Sequence, residues 1–304
     1  MSSAAPTSVS ATPAILSGKE AQAALEEELI ADVARLREAG CQPALAVVRV
    51  GEDPASETYV RNKVKAAERV GMRSIHQHLP ERTTQAELEA AIVALNEDPA
   101  VHGILCQLPL PRQLDAGRIT RLIDPAKDVD CFHPYNVGLL TMGEPRFLPC
   151  TPAGILYLLE RGGISPAGQH AVILGRSNIV GRPLSILLSH KGYDATVTVC
   201  HSRTRDLPAI TRQADILIAA TGIAEWVTAD MVAEGAVVID VGMNRVQDAS
   251  RKTGYRLCGD VDYAAVAPKC RAITPVPGGV GPMTIAMLLR NAVTAARLLS
   301  GIGA

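Results

Sequence analysis

Apolar and polar positions switch between two periods along most of the chain. Residues 19 to 38, rich in Ala, Glu and Leu, repeat as a helix does, and the pattern ends near Gly40. "ALAVVRV" (44–50) is an unbroken apolar run of strand length. The helical stretch "PASETYVRNKVKAAERVGM" (54–72) follows and is closed by Gly71. "SIHQHL" (74–79) predicts a second strand, 84–96 a second helix, and "VHGILCQLPLP" (101–111) a strand that leaves through prolines. A β-α-β-α-β order predicts a parallel sheet. Residues 124–152 are dense in Pro, Gly and Asp, break this rhythm and read as an irregular inter-domain crossing. A second series then begins with "HAVIL" (170–174), "TVTVC" (196–200), "DILIAA" (215–220) and "AVVIDVG" (236–242). Helical patterns lie between these runs, notably at 179–190, and a last helix is predicted over 283–299 after "PVPGGVGP". No short-period repeat is present, and the two halves share only an α/β class.

Composition narrows this further. A length of 304 residues suits two domains. The chain is 47% hydrophobic but only 3% aromatic, so its core must be aliphatic, as in parallel α/β sheets. A net charge of −1 gives no electrostatic reason to expect nucleic acid or an anionic membrane as partner. The seven cysteines, at 41, 106, 131, 150, 200, 258 and 270, contain no C-x-x-C pair. Neither a disulfide framework nor a metal site is expected, and a reducing compartment fits. No apolar run reaches the roughly 18 residues of a membrane span. Residues 1–13, "MSSAAPTSVSATP", lack an apolar core and any basic residue, so a flexible tail and a cytoplasmic protein are expected.

Candidate chemistry lies first in "HAVILGRSNIVGRPLSILL". A strand runs into Gly175, Arg176 and Ser177, then into a helix holding Gly181. Backbone N–H groups and the helix dipole make such a turn an anion site. The spacing is G-x5-G, and a plain β-α turn is the alternative to dinucleotide binding. The next strand ends in "CHSRTRD", where an NAD site usually carries an acid for the ribose hydroxyls. Ser202, Arg203 and Arg205 stand there instead, with Arg176 able to join them, which favours the 2′-phosphate of NADP over a merely solvated loop. Thr221 and Gly222 in "AATG", and Met243 in "DVGMN", end later strands at the same sheet edge.

The second candidate is a lysine. At about 100° per residue, Arg61, Lys65, Glu68 and Arg69 share one side of the 54–72 helix. Val60, Val64, Ala66, Ala67 and Val70 share the other, and Tyr59 and Lys63 fall within that apolar arc. A lone inward lysine can snorkel to water. Three neighbours favour chemistry instead. Tyr59 is four residues back on the same face. Gln107 stands at the C-terminal end of an apolar strand, where parallel sheets open onto ligand crevices. Asp130 lies in "KDVDCFHP". Burial disfavours an ammonium. A shift of about three pKa units corresponds to roughly 4 kcal/mol and leaves an amine able to exchange protons near neutrality. Short-chain dehydrogenases also use Tyr-x-x-x-Lys, but downstream of their glycine loop, whereas Lys63 precedes Gly175.

The blocks "SETYVRNKVKAAERVGM", "GILCQLPLP", "DPAKDVDCFHPYNVG", "PCTPAGI", "LGRSNIVGRP", "ADILIAATG", "VVIDVGMNR", "GDVDY" and "TPVPGGVGPMT" run in order through the chain. Together they closely resemble the bifunctional methylenetetrahydrofolate dehydrogenase / methenyltetrahydrofolate cyclohydrolase family. The resemblance implies two α/β domains flanking a cleft, the second a Rossmann-type NADP-binding domain with a parallel sheet. Residues 14–149 with 284–304 would form the folate-binding catalytic domain, and 150–283 the NADP domain. It implies Lys63, Tyr59, Gln107 and Asp130 as catalytic and substrate-binding residues, and Gly278, Gly279 and Pro282 as a folate-side loop. Gly175, Arg176, Ser177, Ser202, Arg203, Thr221, Gly222 and Met243 would meet NADP. A folate substrate, a homodimer and a cytoplasmic location are implied as well. Met243 stands where the family usually has isoleucine, and Cys131 where it has glycine.

Two rivals share some of these features. A shikimate-type dehydrogenase has the same domain order but leaves "PVPGGVGPMT" and the Tyr59, Lys63 and Gln107 set unexplained. A non-catalytic nucleotide- or folate-sensing protein would not need the inward lysine. Other residues read as structural: His76 and His78 on one strand face, Trp226 under a loop, Glu26, Glu27 and Glu28 on a solvated helix face, and Met283 and Met287 in the core.

Overall fold

Two separate parallel sheets carry the alternation expected from the sequence. The computed structural model describes residues 12–251 and 254–302, so residues 1–11 of the expected tail lie outside the described residues. In chain order the elements are β1 (Ala14–Ile15), α1 (Gly18–Glu38), β2 (Ala44–Val50), α2 (Pro54–Arg69), β3 (Arg73–Leu79), α3 (Gln85–Glu97), β4 (Gly103–Cys106) and α4 (Ala116–Leu122). They continue as α5 (Pro134–Met142), α6 (Cys150–Arg161), β5 (His170–Leu174), α7 (Gly181–Ser189), β6 (Thr196–Cys200), α8 (Leu207–Thr211), β7 (Ile216–Ala219) and β8 (Val237–Asp240). The last are β9 (Asn244–Gln247), β10 (Tyr255–Cys258), α9 (Tyr263–Val266), β11 (Ala272–Ile273) and α10 (Val280–Ser300). The described residues divide into two units, 22–153 with 284–302, and 12–21 with 154–283.

In the first unit, β3-β2-β4 form a three-stranded parallel sheet. Every residue of β2 is buried, which is why this strand is continuously apolar apart from Arg49. Ala46, Val48 and Val50 pack against Leu88, Ile92 and Leu95 of α3 and Ile119 of α4. Each such aliphatic side chain withdrawn from water contributes about 1.5–3 kcal/mol. On α2, Val60, Ala66, Ala67 and Val70 are buried. That helix starts where the Asp53 carboxylate accepts from Ser56 N–H at 2.7 Å, with Pro54 in its first turn. It stops before Gly71, whose φ of +82° few other residues would adopt. The segment expected to be irregular contains α5. Its punctuating residues bracket that helix, with Pro134 in the first turn and Gly143 left-handed just after the end.

In the second unit, six strands pair in the order β1-β11-β8-β7-β5-β6, all parallel. Val172, Leu174, Leu217, Ala219, Val238 and Ile273 share one buried cluster. Ala14 and Ile15, at the start of the stretch expected in the folate-binding part, pair with Ala272 and Ile273. β9 and β10 make a separate antiparallel hairpin. α10 begins at Val280, so Gly281 and Pro282 lie in its first turn, where a proline forfeits no hydrogen bond. Met283 and Met287 are buried as expected, His76 and His78 stack with both rings exposed, and Trp226 is 38% exposed rather than covered. The Glu26–Glu28 face is not merely solvated, since Glu26 pairs with Arg69 at 2.6 Å and Glu28 with Arg290 at 3.1 Å. No helix among the described residues is long and apolar enough to cross a membrane.

Candidate active site

Strand order reverses once in each sheet, and in parallel α/β sheets the C-terminal strand ends at such a reversal are where ligands bind. In the three-stranded sheet β3 lies on one side of β2 and β4 on the other. Gln107 follows β4 directly, and its N–H donates to Val48 O at 2.8 Å, extending the ladder by one residue. Lys63 Nζ donates to Gln107 Oε1 at 3.0 Å. An ammonium can only donate, so the amide oxygen must face it. The amide nitrogen turns the other way and donates to Leu108 O at 2.7 Å.

Asp130 reaches this place by a different route. The chain after α4 runs beside β4, with Ile104 N–H donating to Lys127 O at 2.8 Å. Lys127 is buried, and its ammonium donates to Leu95 O, Asn96 O and Asp98 O at 3.1, 2.7 and 2.7 Å, closing the end of α3. The buried Asp128 carboxylate accepts from Phe132 N–H, His133 N–H and Asn136 Nδ2 at 3.2, 2.8 and 2.8 Å. The turn so formed takes Cys131 to a φ of +62°, a region that favours glycine, and leaves Asp130 between two fixed ends. Desolvation pushes the Asp130 carboxyl above its ordinary range, while the positive charge of Lys63 works against that shift. The Cys150 thiol donates to Asp130 Oδ1 at 3.7 Å.

Tyr59 departs from its expected inward position and is 47% exposed, while Lys63 is half-buried. The buried stripe of α2 runs through Ser56, Val60, Ala67 and Val70. At about 100° per residue Tyr59 and Lys63 still fall within the arc of that stripe, between Val60 and Ala66, so helix angle alone does not bury them. A long side chain beside a sheet end can touch the last strand residues and still face a ligand.

In the six-stranded sheet the reversal lies between β5 and β7, with β6 on the far side of β5. Gly175 takes a φ of +124°, and a Cβ there would lie 2.2 Å from Ala220 O, so only glycine lets these two turns touch. Ser177 Oγ accepts from Val180 N–H at 3.1 Å and Gly181 N–H at 3.5 Å, tying the turn to the start of α7. Arg176, Ser202 and Arg203 are exposed around the ends of β5 and β6, and none of residues 201–205 after Cys200 is an acid. Thr221 is half-buried, Gly222 is exposed with a φ of +71°, and Met243 is 41% exposed. A Cβ on Gly281 would lie 3.5 Å from Met243 Cε, so the glycine-rich loop and "DVGMN" are neighbours. Gly278 and Gly279 are buried, and the Gly278 carbonyl accepts from Gly18 and Lys19 N–H at 2.8 and 3.2 Å, capping α1. Among the described residues no group of three or more His, Cys, Asp or Glu is arranged to hold a metal ion.

Two buried acids were given no role from sequence. Asp240 is 3% exposed and Asp260 fully buried, both directly behind the turns at this sheet edge. They stand in "DVGMN" and "GDVDY", but acids twenty residues apart that meet through a backbone N–H carry no signal of their contact in the sequence.

The family model for the tetrahydrofolate dehydrogenase/cyclohydrolase catalytic domain matches residues 16–130, and that for the family's NAD(P)-binding domain matches residues 149–299. The chain belongs to this family. The bifunctional protein FolD of Chlorobium phaeobacteroides is 55% identical over 95% of this chain and 99% of its own length. The crystal structure of the bifunctional FolD of Campylobacter jejuni superposes with a TM-score of 0.89 at 49% identity, covering 93% of this chain and 98% of the other. The Trypanosoma brucei FolD, solved with NADP cofactor and an inhibitor, gives a TM-score of 0.90 at 40% identity over 96% and 99% of the two chains. Membership makes this chain a folate dehydrogenase and cyclohydrolase with two α/β domains, one of them NAD(P)-binding. The half holding Lys63, Gln107 and Asp130 matches the family's catalytic domain, and the half holding Gly175, Arg176 and Ser202 its nucleotide domain.

Proposed function

We propose that the chain oxidises 5,10-methylenetetrahydrofolate to the 5,10-methenyl form with NADP⁺, then hydrolyses that cation to 10-formyltetrahydrofolate with Lys63 moving the protons. The observation that carries this reading is the 3.0 Å bond from Lys63 Nζ to the neutral Gln107 amide at the C-terminal end of β4. An amide oxygen can accept from an ammonium and, more weakly, from an amine, so it can hold the nitrogen in place through a gain or loss of a proton. In the hydrolysis, water adds to the methenyl carbon, the bond from that carbon to N5 breaks, and one proton is released overall. Lys63 would relay protons between the adding water and N5. Asp130, anchored through Asp128 and Cys150, would accept from the N–H groups of the pterin, and Tyr59 would flank its ring.

NADP⁺ supplies the hydride acceptor. The residues at the β5 and β6 ends suit it: a close-packed glycine turn, a helix start, and Arg176, Ser202 and Arg203 in place of an acid. Two exposed cations and a hydroxyl would hold a 2′-phosphate, while a carboxylate there would repel it. Gly278, Gly279 and Pro282 would shape the folate side, and Thr221, Gly222 and Met243 the cofactor side. A homodimer and a cytoplasmic location accompany this reading, and sedimentation of the purified chain tests the first.

Replacing the lysine tests the mechanism. Lys63→Met is expected to abolish hydrolysis of methenyltetrahydrofolate, followed by its absorbance, with NADP⁺ affinity unchanged. Wild-type hydrolysis by that variant removes Lys63 from the reaction.

A further inference from the structure

The turn after β7 resembles an anion site whose anion belongs to the protein. Thr221 N–H and Gly222 N–H both point at Asp260 Oδ2, at 2.6 and 2.8 Å, and Thr221 Oγ1 donates to the same oxygen at 3.0 Å. Successive backbone N–H groups ending in a left-handed glycine form a nest that would otherwise take a phosphate oxygen. Asp260 Oδ1 accepts from Asn244 Nδ2 at 2.9 Å, so one carboxylate ties the turn after β7 to the start of β9. Both ends of Asp260 are fixed in turn. Its N–H donates to Asp240 Oδ1 at 2.9 Å, beside Gly242 N–H on that oxygen at 2.9 Å and Val261 N–H on Oδ2 at 3.0 Å. Its carbonyl accepts from Val227 N–H at 2.9 Å. A Cβ on Gly242 would lie 2.1 Å from Asp260 Oδ1, and one on Gly259 would lie 1.8 Å from Asp240 Oδ2, so nothing bulkier fits between the loops. Farther along, Arg256 grips Glu225 with two bonds of 2.8 and 2.7 Å.

These bonds run outward from a fully buried acid to a rim. Thr221 is half-buried, Gly222 and Ile223 are exposed, and Met243 adjoins Asn244. We propose that Asp260 is a positioning residue for dinucleotide binding: its carboxylate fixes the 221–223 and 242–244 rims relative to each other. By filling the nest, it also denies that turn to cofactor phosphate. The phosphates are thereby directed to the turn between β5 and α7, where Ser177 and the helix start lie. Asp260 need not touch the cofactor. The inference rests on the NADP reading above.

Asp260→Asn keeps the size of the side chain but turns an N–H pair toward donors. NADP⁺ binding by fluorescence and KM for NADP⁺ are expected to weaken at least tenfold. Cyclohydrolase kcat and its KM for methenyltetrahydrofolate, measured without nucleotide, should stay within twofold. Thr221→Val, which removes one donor to Oδ2 and keeps the shape, should raise KM for NADP⁺ about three- to tenfold, and it carries the test if Asp260→Asn does not fold. Unchanged NADP⁺ affinity in the folded variants overturns the proposal, as does an equal loss of both activities, which would make Asp260 a general scaffold. A wild-type chain that does not bind NADP⁺ overturns the cofactor reading and this inference with it. Tight wild-type binding with unaltered variants overturns this inference alone.

Discussion

Gly175 and Ala220 meet backbone to backbone, leaving no room for a Cβ on Gly175 before the Ala220 carbonyl. Gly175→Ala would have to move main chain and also hold an unfavourable φ. NADP⁺ affinity is expected to fall more than tenfold, with a lower Tm and hydrolysis still measurable. Isothermal titration with NADP⁺ checks this, and an unchanged Kd would mean that the two turns separate freely.

Arg176 and Arg203 should separate the two nicotinamide cofactors. A charge-assisted hydrogen bond contributes about 1.5–3 kcal/mol, or roughly ten- to a hundredfold in binding. Arg176→Ala should raise KM for NADP⁺ by that factor and leave KM for NAD⁺ nearly constant. Arg203→Ala should act in the same direction. Equal changes for both cofactors would remove the 2′-phosphate from this place.

The neutrality of Gln107 is itself testable. Gln107→Glu sets a carboxylate against Lys63 Nζ and holds it as an ammonium. Hydrolysis should slow about a hundredfold or more, the scale of general acid–base assistance. NADP⁺ binding, by the same titration, should not change. Rapid hydrolysis by this variant would show that the amide has no part in tuning the amine.

The contribution of Asp240 to stability should decline as pH rises from about 4 to 7. Burial is the largest influence on Asp240 and lifts its carboxyl from 3.8 to about 6, against the opposing N–H bonds from Asp260, Val261 and Gly242. Between those values the folded chain keeps a proton that the unfolded chain has lost, so stabilisation present below the lower value is lost through the higher one. The loss from Asp240 is roughly 3 kcal/mol at most. Asp128 and Asp130, also raised by burial, act with the same sign. In urea unfolding at pH 5 and pH 8, the stability of the wild type relative to Asp240→Asn should fall between the two pH values. Parallel slopes would show that Asp240 does not titrate in that window.

Long apolar runs such as "ALAVVRV" and "HAVIL" were legible as strands because burial on both faces demands that composition. Lys63, Gln107 and the glycine turn were legible because strand ends and helix faces follow from period alone. The two-residue β1 was not, since "AI" has no pattern and gains its place only from pairing with β11. α5 was hidden because prolines and glycines mark helix ends as readily as loops. Tyr59 lies within the apolar arc of α2 by angle yet is 47% exposed, because period gives a face of the helix and not how far along it the sheet provides cover. Asp260 gives no such signal, because two of its carboxylate's donors are main-chain N–H groups, which any sequence supplies, and the other two, Thr221 Oγ1 and Asn244 Nδ2, lie 39 and 16 residues away.

All seven cysteines are free; six are buried and Cys106 is half-buried. Burial pushes the thiols of Cys106 and Cys270 up to about 12, and those of Cys131, Cys150, Cys200 and Cys258 upward as well. Oxidants and alkylating reagents attack the thiolate, so a native chain offers them little to react with. The sulfur-rich interior should therefore behave in air as though it held no sulfur, and become vulnerable only when the fold is opened.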